Sequence, residues 1–409
     1  MKIACFVWEF EPFLVGGLGV YATEMVRKFV ERGNEVWIFS FNYRNSFKEF
    51  EDRGKIKIIR PLIFHSDDLI KIISNQELLR WGEGIKLFGD VFSYNFLSAY
   101  EFLKFAKKEK FDLIAFHDWI SGLSYFPISE NIKIPSIFHF HSTEEQRSLG
   151  FASSTIKNAE KEIARRIGNV ITVSYSMKDF MEKRNFQAKI NVVYDGVDTK
   201  KFDPKKVKKK EVEELKKKYG IENEKIIFFI GRLTWVKGVH NLVKAFWLIK
   251  KEFPKSKLII VGVGEEKGRI ENLIKQFNLE KDVIMRNEWI SEKEKMVHYK
   301  LADVCVFPSI TEPFGIVASE AMAMEKPVVV GASGEVNGFR EQVIPNGKER
   351  TGVHVDGNRY EDIAWGIKVV LENEKEARKW GKNGRKRVIE NFEIEKTVDK
   401  TLSIYESLI

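Results

Sequence analysis

The sequence predicts an α/β protein of two Rossmann-like, doubly wound domains, and three observations lead to this prediction. Short apolar runs, such as residues 2–8, 36–41 and 225–230, alternate with segments of helical periodicity. Glycine-rich loops follow several of these runs, at the place where parallel sheets bind their ligands. The 409 residues suffice for two domains of ordinary size, each with its own core.

The composition predicts a globular protein, with 44% hydrophobic and 31% charged residues. No apolar run approaches the roughly 18 residues that a membrane helix needs. The acidic Glu9 comes too early for a secretory signal. Cys5 and Cys305 both fall in apolar runs without paired spacing, which is typical of buried thiols in a reducing compartment. We therefore expect a cytoplasmic protein.

The net charge of +9 arises from 68 Lys and Arg against 59 Asp and Glu. Such an excess is compatible with nucleic acid, an anionic membrane face, or anionic substrates such as sugar nucleotides. Because acids and bases mostly alternate along the chain, a solvated charged surface explains the excess. We expect no nucleic-acid partner, and peripheral membrane attachment stays open without being favoured.

The first domain is predicted for residues 1–199 and begins with a strand, a loop and a helix. The loop contains Gly16 and Gly17, and the segment matches the dinucleotide pattern G-x-G-x-x-A only loosely. A long stretch separates the glycines from the strand, and no acid stands at the tip of the second strand. A glycine loop that lets the backbone approach a phosphate is therefore favoured over an NAD site. Further along, residues 53–95 predict an irregular insertion with a helix at 70–80, followed by a helix at 97–108.

Polar side chains follow two predicted strands of this domain. Asp118 stands in His117-Asp118-Trp119, directly after the apolar run 111–116, and His141 follows the run 134–140. A lone histidine is usually structural. Two histidine-bearing strand ends at one sheet edge, where open α/β sheets bind ligands, favour a functional role for Asp118 and His141.

Residues 200–220 are dominated by Lys and Glu and predict a charged linker with an exposed helix. A membrane-binding amphipathic helix is the alternative, but the segment lacks a matching apolar face. The second domain is predicted for residues 221–390, and a last helix for residues 391–409.

Arg232 and Lys237 lie in a glycine-flanked loop directly after the apolar run 225–230. Surface cations usually serve only solubility, but this loop stands where a doubly wound sheet binds its ligand. The metal-holding pattern Asp-x-Asp is absent from the sequence. Two cations fixed in such a loop suit an anionic ligand, and we expect neither a metal nor another cofactor.

Residues 302–320 predict a buried strand, a tight loop and the start of a helix. Pro308 ends the strand, Pro313 and Gly315 form a turn, and the helix begins near Ile316. Free N–H groups at such a helix start favour phosphate and sugar oxygens. Glu312 and Glu320 flank this start, and the plain alternative is that they only cap the helix or complement its dipole.

The stretch Glu312-Pro-Phe-Gly-Ile-Val-Ala-Ser-Glu320 resembles the E-x7-E motif of retaining glycosyltransferases with the GT-B fold, which include the glycogen and starch synthases. Five elements occur in the order found in that family: Gly16-Gly17, His117-Asp118-Trp119, His141, Arg232 with Lys237, and Glu312 with Glu320. The resemblance implies two Rossmann-like domains facing across a cleft, with the C-terminal helix returning to the first domain. One departure is Leu14, where glycogen and starch synthases carry the lysine of a K-x-G-G element.

The resemblance also implies roles for individual residues. The glycine pair approaches the diphosphate of a sugar nucleotide, which Arg232 and Lys237 bind. Glu312 and the backbone around Phe314 and Gly315 hold the sugar. Glu320 accepts hydrogen bonds from the ribose. The remaining two residues, Asp118 and His141, position the sugar from the facing wall.

The implied reaction is retaining transfer of a sugar from a nucleoside-diphosphate sugar, with UDP- or ADP-glucose expected, to a glycan acceptor. Glucosyl transfer to an α-glucan is favoured because the histidine elements resemble those of the glucan synthases. The absence of an apolar surface helix argues against a lipid-linked acceptor. Transfer to a lipid-linked or small-molecule acceptor, a nucleotide-sugar 2-epimerase and a non-catalytic binding module remain alternatives.

Overall fold

The computed structural model describes residues 1–64, 67–79 and 84–409. The chain forms two compact units. The first unit comprises Met1–Thr172, Met181–Val193 and Val398–Ile409, and the second comprises Val173–Phe180 and Tyr194–Thr397.

The described part of the first unit contains an eight-stranded sheet in the order β3-β4-β2-β1-β5-β6-β7-β8. All neighbouring strands are parallel except β3, which pairs antiparallel with β4 at the edge. The strands are β1 Lys2–Phe6, β2 Glu35–Phe39, β3 Phe50–Arg53, β4 Ile56–Ile59, β5 Leu113–His117, β6 Ser136–Phe140, β7 Asn169–Thr172 and β8 Lys189–Val192.

Helices lie between most of these strands, as crossovers between parallel strands require. They are α1 Gly17–Glu31, α2 Asp67–Ile73, α3 Gln76–Leu79, α4 Gly84–Ala106, α5 Trp119–Gly122, α6 Tyr125–Asn131, α7 Glu144–Ser148, α8 Ser154–Ile167 and α9 Tyr175–Lys183. Helix α9 begins in the second unit and ends in the first.

The second unit contains a parallel six-stranded sheet in the order β11-β10-β9-β12-β13-β14. Its strands are β9 Lys225–Ile230, β10 Ser256–Val261, β11 Val283–Arg286, β12 Val304–Phe307, β13 Val328–Gly331 and β14 Gly352–Val355. From β9, the chain builds the sheet outwards on one side through β10 and β11 and then on the other side from β12 to β14. Ligand sites of open α/β sheets lie at such a switch point, here between β9 and β12.

The helices of the second unit lie between and after these strands. They are α10 Lys209–Tyr219, α11 Val239–Glu252, α12 Lys267–Gln276, α13 Glu292–Leu301, α14 Ile316–Ala323, α15 Phe339–Gln342, α16 Tyr360–Glu372, α17 Glu374–Asn391 and α18 Ile394–Glu406. The part of α18 from Val398 onwards belongs to the first unit.

Continuous apolar runs form the central strands of both sheets because these strands are covered on both faces. Strands β5 and β12 are buried along their whole length, and β9 is buried at every position after Lys225. Cys5 and Cys305 are also buried, and burial raises the pKa of each thiol to about 12. The prediction of an α/β protein with two parallel-sheet domains is thus confirmed.

The structure corrects the prediction for residues 53–108. Helix α4 begins at Gly84, well before the predicted start at residue 97. In place of one helix at 70–80, the structure has α2 and α3 with a break between Ile73 and Gln76, and Arg80 lies outside the described residues. Gly84 and Gly89 obscure the periodicity of α4, and two of its inward positions are the polar Asn95 and Ser98.

The expectation that the chain lacks an apolar surface helix is wrong. On α2, Ile72 is 81% exposed, and on α4, Phe96 and Tyr100 are 57% and 61% exposed. Phe64, next to these helices in the chain, is also exposed, and its carbonyl accepts a hydrogen bond from Ser93 of α4. Among the described residues, no helix combines the length and apolar character needed to cross a bilayer.

The predicted domain boundaries stay a prediction. The residues predicted as a charged linker include α10, whose Leu215 is buried and whose Glu211 pairs with Lys293 of α13 within the second unit. In the last helix, Tyr405 is buried in the first unit.

Candidate active site

The loop between β12 and α14, residues 308–315, ends in a conformation that only glycine adopts easily. Gly315 precedes the first residue of α14 with φ +92° and ψ 67°. A Cβ added at Gly315 would collide with the ring of Phe339. Conformation and close packing therefore both demand glycine here. The predicted strand, tight loop and helix are confirmed.

Glu312 is buried and makes a short ion pair within this loop. Its Oε2 accepts a hydrogen bond from Lys237 Nζ at 2.5 Å and another from Ser309 Oγ at 2.9 Å. The two predicted charged residues therefore meet, although they come from different loops of the sheet. Glu312 does not cap α14 through a side-chain bond, so the simple capping interpretation does not describe it.

Glu320 lies in the second turn of α14 and is also buried. Its Oε1 accepts a hydrogen bond from Lys295 Nζ at 2.8 Å, and its Oε2 accepts one from the Tyr299 hydroxyl at 2.8 Å. Burial, together with the nearby Glu320, raises the pKa of Tyr299 well above its usual range, so the hydroxyl keeps its proton. A carboxylate has about four lone-pair sites, which leaves Glu320 capacity for a further donor.

The two predicted cations differ in their surroundings. Lys237 is engaged by Glu312, whereas Arg232 is exposed and makes no hydrogen bond or ion pair with any described residue. Both belong to the loop between β9 and α11, which contacts the 308–315 loop through a hydrogen bond from Ile310 N to Val236 O at 2.8 Å. The guanidinium of Arg232 is therefore available to an anion.

Close approach of backbone explains two glycines at this sheet edge. Gly262, which follows β10, has φ +152°, and a Cβ there would collide with the Gly231 carbonyl. Gly238 has φ +67°, and a Cβ there would collide with the Pro308 carbonyl. The loops after β9, β10 and β12 therefore pack backbone against backbone.

The side chain of Phe314 is buried and is not accessible to a ligand. Its ring stacks on Tyr194 at 5.6 Å between centroids and packs edge-on against Phe392 at 5.7 Å. The backbone N–H groups of Phe314, Gly315 and Ile316 donate to no group in the described chain. Unpaired N–H groups at a helix N-terminus are the usual donors to anionic oxygens.

In the first unit, one residue of the predicted glycine pair already donates to a carboxylate of the protein itself. Glu9 Oε2 accepts hydrogen bonds from Val15 N and Gly16 N, each at 2.8 Å. Gly16 is extended and Gly17 begins α1. The N–H of Gly16 is therefore not free for a phosphate in this conformation, contrary to what a phosphate-binding glycine loop would lead us to expect.

Three histidines lie together at the ends of β5 and β6. His117 Nδ1 and His141 Nε2 are 3.1 Å apart, and His117 stacks on His139 with 4.4 Å between ring centroids. His139 Nε2 is 2.7 Å from the hydroxyl of Tyr405. Burial and the neighbouring imidazoles lower the pKa values of His117 and His139 well below their usual range, so both rings are neutral near pH 7.

Asp118 holds His141 through the backbone. Asp118 Oδ1 accepts a hydrogen bond from His141 N at 2.8 Å, and Asp118 N donates to His139 O at 2.8 Å. Asp118 has φ +54° and ψ 166°, a conformation that costs a non-glycine residue on the order of 1–3 kcal/mol. Such strain is found at functional sites more often than elsewhere.

These three histidines are also the group in the described chain that comes nearest to a metal site. Their ligand atoms lie within 4.8 Å of one another. The ring planes are within 14–23° of parallel, so the nitrogen lone pairs do not converge on one point without rotation of a ring.

The sequence interpretation missed several residues that contact the predicted ones. His139 was recognisable, because the spacing His139-Phe140-His141 puts both histidines on one face of a strand. No local pattern marks the others, whether they lie nearby in the chain, as Ser309 does, or farther away, as Lys295 and Tyr299 do. They are Glu9, Lys295, Tyr299, Ser309 and Tyr405.

Two protein families match the chain, one in each half. Residues 15–201 match the family described as "Glycosyltransferase Family 4", and residues 211–387 match "Glycosyl transferases group 1". An uncharacterized glycosyltransferase of Methanocaldococcus jannaschii is 29% identical, with 99% of this chain and 98% of the relative covered. A glycogen synthase of Mycobacterium tuberculosis is 23% identical, with coverage of 99% and 94%.

Solved structures share the fold over the whole chain. The sucrose-phosphate synthase of Thermosynechococcus elongatus has a TM-score of 0.82 and 25% identity, with 100% of this chain and 98% of the other covered. The Anabaena protein HepE in complex with UDP-glucose has a TM-score of 0.71 and 19% identity, with coverage of 98% and 99%. The two family matches, the relatives and the two parallel-sheet units lead to one conclusion: this chain is a glycosyltransferase of the GT-B type.

Proposed function

We propose that the chain transfers a sugar from a nucleoside-diphosphate sugar with retention of anomeric configuration, and that the acceptor is an α-glucan. The observation that carries this proposal is the start of α14. Its unpaired N–H groups follow Glu312 in the chain, and Glu312 is buried and paired with the half-buried Lys237. The same loop contacts the loop of the free Arg232. This combination of N–H donors, cations and one carboxylate suits a ligand with a diphosphate and a hydroxyl-rich sugar.

Each predicted residue receives a role compatible with its surroundings. Arg232 and Lys237 bind the diphosphate, and the Gly315 N–H donates to an oxygen of the donor. The carboxylate of Glu312, which pairs with Lys237, accepts hydrogen bonds from the sugar hydroxyls. Glu320 accepts from the ribose with the capacity that Lys295 and Tyr299 leave.

The reaction needs no covalent intermediate with the protein. The bond between C1 of the sugar and the diphosphate oxygen breaks, while an acceptor hydroxyl oxygen forms a bond to C1 on the same face. The proton of that hydroxyl passes to the departing diphosphate. Arg232 and Lys237 stabilise the negative charge that develops on the diphosphate, so the step proceeds without a divalent metal.

The roles proposed for the first unit concern the sugar and the glycine loop. Asp118 fixes the backbone of His141, and the His141 ring is oriented by His117, which suits residues that position a substrate. Gly16 and Gly17 approach the diphosphate once the Glu9 carboxylate has left the N–H groups that it now occupies.

An α-glucan acceptor is supported by the glycogen synthase relative and by the histidine elements of the first unit. A lipid-linked acceptor is the second candidate, because α2 and α4 expose the apolar side chains of Ile72, Phe96 and Tyr100. Phe96 and Tyr100 stand one helical turn apart on α4, and exposed apolar patches are typical of surfaces that meet apolar partners. We propose further that the enzyme acts in the cytoplasm.

A panel experiment tests the donor and the acceptor together. Purified enzyme is incubated with UDP-, ADP- or GDP-sugars and with a maltooligosaccharide, a free sugar or a lipid-linked sugar, and the released nucleoside diphosphate is measured. We expect release with UDP- or ADP-glucose that depends on the maltooligosaccharide. Release only with the lipid-linked acceptor would select the second candidate, and an epimerised sugar nucleotide formed without any acceptor would contradict a transferase.

A further inference from the structure

The 308–315 loop is held from one side by the chain between β13 and α15. Glu312 N donates to Val336 O at 3.3 Å, and Gly338 N donates back to Glu312 O at 2.7 Å. A Cβ added at Gly338 would meet the Pro313 carbonyl and the Cα of Phe314. This chain segment therefore lies in direct contact with the backbone of the loop.

Gln342, the last residue of α15, joins the loop to α14 through its amide. Its side chain is fully buried, its Nε2 donates to the Phe314 carbonyl, and its Oε1 accepts from Ser319 Oγ at 2.9 Å. Ser319 belongs to α14 and is also buried. Because the donor end and the acceptor end of the amide are both engaged, its orientation is fixed.

This bond determines the direction of a neighbouring N–H group. The carbonyl of Phe314 and the N–H of Gly315 belong to the same peptide unit, and in a planar trans peptide the two point in opposite directions. A bond that holds the Phe314 carbonyl towards Gln342 therefore directs the Gly315 N–H away from Gln342. That N–H donates to no group in the described chain.

We propose that Gln342 is a positioning residue that aims the Gly315 N–H at an oxygen of the sugar nucleotide. Gln342 itself does not touch the donor and acts through the peptide between Phe314 and Gly315. Phe339 also helps to fix the peptide of Gly315, because its ring fills the space where a side chain at position 315 would lie. This inference rests on the proposed donor-binding role of the loop.

The test uses Gln342→Met, which keeps the approximate volume but removes both hydrogen bonds. We expect kcat/KM for the sugar nucleotide to fall about 5- to 150-fold, the scale for leaving a buried polar group unpaired. The KM for the acceptor should change less than about twofold, the range of substitutions without a special role. Hydrogen exchange of the peptide that covers residues 311–320 should accelerate.

Asn383→Leu, likewise an amide replaced by an apolar side chain of similar volume, is the control in the same unit. Asn383 Nδ2 donates to the carbonyls of Lys348 and Arg350, so this change also removes an amide donor from main-chain carbonyls, but away from the loop. Equal losses in both variants would show a general loss of stability and would overturn the positioning role. Ser319→Ala removes one of the two bonds, and we expect an intermediate effect that does not add to that of Gln342→Met.

The two proposals fail in different ways. If the wild-type chain bound no sugar nucleotide, the proposed function would fail, yet faster exchange at residues 311–320 in Gln342→Met would still support the control of the loop by Gln342. If the wild type bound the donor and Gln342→Met bound it equally well with unchanged exchange, the positioning role would be wrong while the proposed function stood.

Discussion

At the scale of residues, the candidate site combines groups that are already paired with one that is not. Glu312 and Lys237 neutralise each other, and Glu320 is bonded to Lys295 and Tyr299. Arg232 has no partner in the described chain. Replacing the unpaired residue should therefore affect catalysis alone, whereas replacing a paired residue should affect both catalysis and stability.

Arg232→Ala should reduce the transfer rate by about 10²–10³, the scale for one preorganised group that stabilises developing charge. Because Arg232 is exposed and unpaired, the free energy of unfolding should change by less than about 0.5 kcal/mol. Steady-state kinetics and urea unfolding measure the two quantities. Arg378→Ala, which removes an exposed arginine from α17 of the same unit, is the control and should leave the rate unchanged.

The same role for Arg232 predicts that turnover survives chelation of divalent metals. Full activity of Arg232→Ala would remove this residue from the mechanism. Loss of wild-type turnover on chelation, with recovery when a divalent metal is restored, would contradict the proposed charge stabilisation by side chains alone.

Glu320→Gln should weaken donor binding by roughly 1–3 kcal/mol, the scale for a hydrogen bond to a charged group. The variant should also be less stable, because Lys295 loses its carboxylate partner. Calorimetric titration with the sugar nucleotide and with the acceptor separates the effects, since acceptor binding should hardly change. Equal weakening of both ligands would speak against contact between Glu320 and the ribose.

At the scale of elements, the ends of β5 and β6 gather neutral histidines, and α18 reaches them through Tyr405. His139 has a folded-state pKa well below its ordinary value of 6.5, so the unfolded chain binds more protons as the pH falls below 6.5. The stability from this histidine is therefore fully present above 6.5 and is lost as the pH falls towards the lowered pKa. The free energy of unfolding should therefore depend on pH through His139, which joins β6 to α18.

The stability advantage of wild type over His139→Phe should shrink by about 1 kcal/mol for each pH unit below 6.5. Urea unfolding at pH 7.5 and at pH 5.5 measures it. Tyr405→Phe is the matched control, because it removes the same hydrogen bond and keeps the imidazole. That variant should lose about 1–3 kcal/mol at both pH values. Parallel pH profiles for wild type and His139→Phe would show that His139 titrates normally.

The elements around the site differ in how far the sequence determines them. Residues 302–323 were predictable because an apolar run, two prolines and Gly315 give a strand, a loop and a helix start in unbroken order. Helix α4 was predicted from residue 97 although it begins at Gly84, because glycines and buried polar residues interrupt its apolar stripe. The apolar side chains exposed on α2 and α4 were missed for a different reason. The periodicity of a helix does not by itself determine which of its faces is exposed to solvent.

Contacts that join distant residues lie beyond local patterns. The Gln342 amide reaches Phe314 across 28 positions of the chain, and the Tyr405 hydroxyl reaches His139 across 266. Such contacts depend on the packing of whole elements. The structure places Arg232 and Glu312 in loops and Glu320 in α14, as predicted, while the partners of the named residues became visible only in the folded chain.

At the scale of the whole molecule, the two sheets and the two family matches place the chain among the GT-B glycosyltransferases. The donor, the acceptor and the stereochemistry are the proposed part of the account. Retention is the feature that links them, because it requires the acceptor oxygen to attack C1 on the face that the diphosphate leaves. The roles of Arg232, Lys237 and the Gly315 N–H all depend on a diphosphate leaving group.

The most direct test of this central claim is the anomeric configuration of the product. UDP-glucose or ADP-glucose labelled with ¹³C at C1 is incubated with the enzyme and a maltooligosaccharide, and the new linkage is identified by NMR before any secondary hydrolysis. We expect an elongated oligosaccharide with an α-configured new linkage and one nucleoside diphosphate released for each glucose transferred. A β-configured linkage, or labelled glucose that never joins an acceptor, would contradict the account.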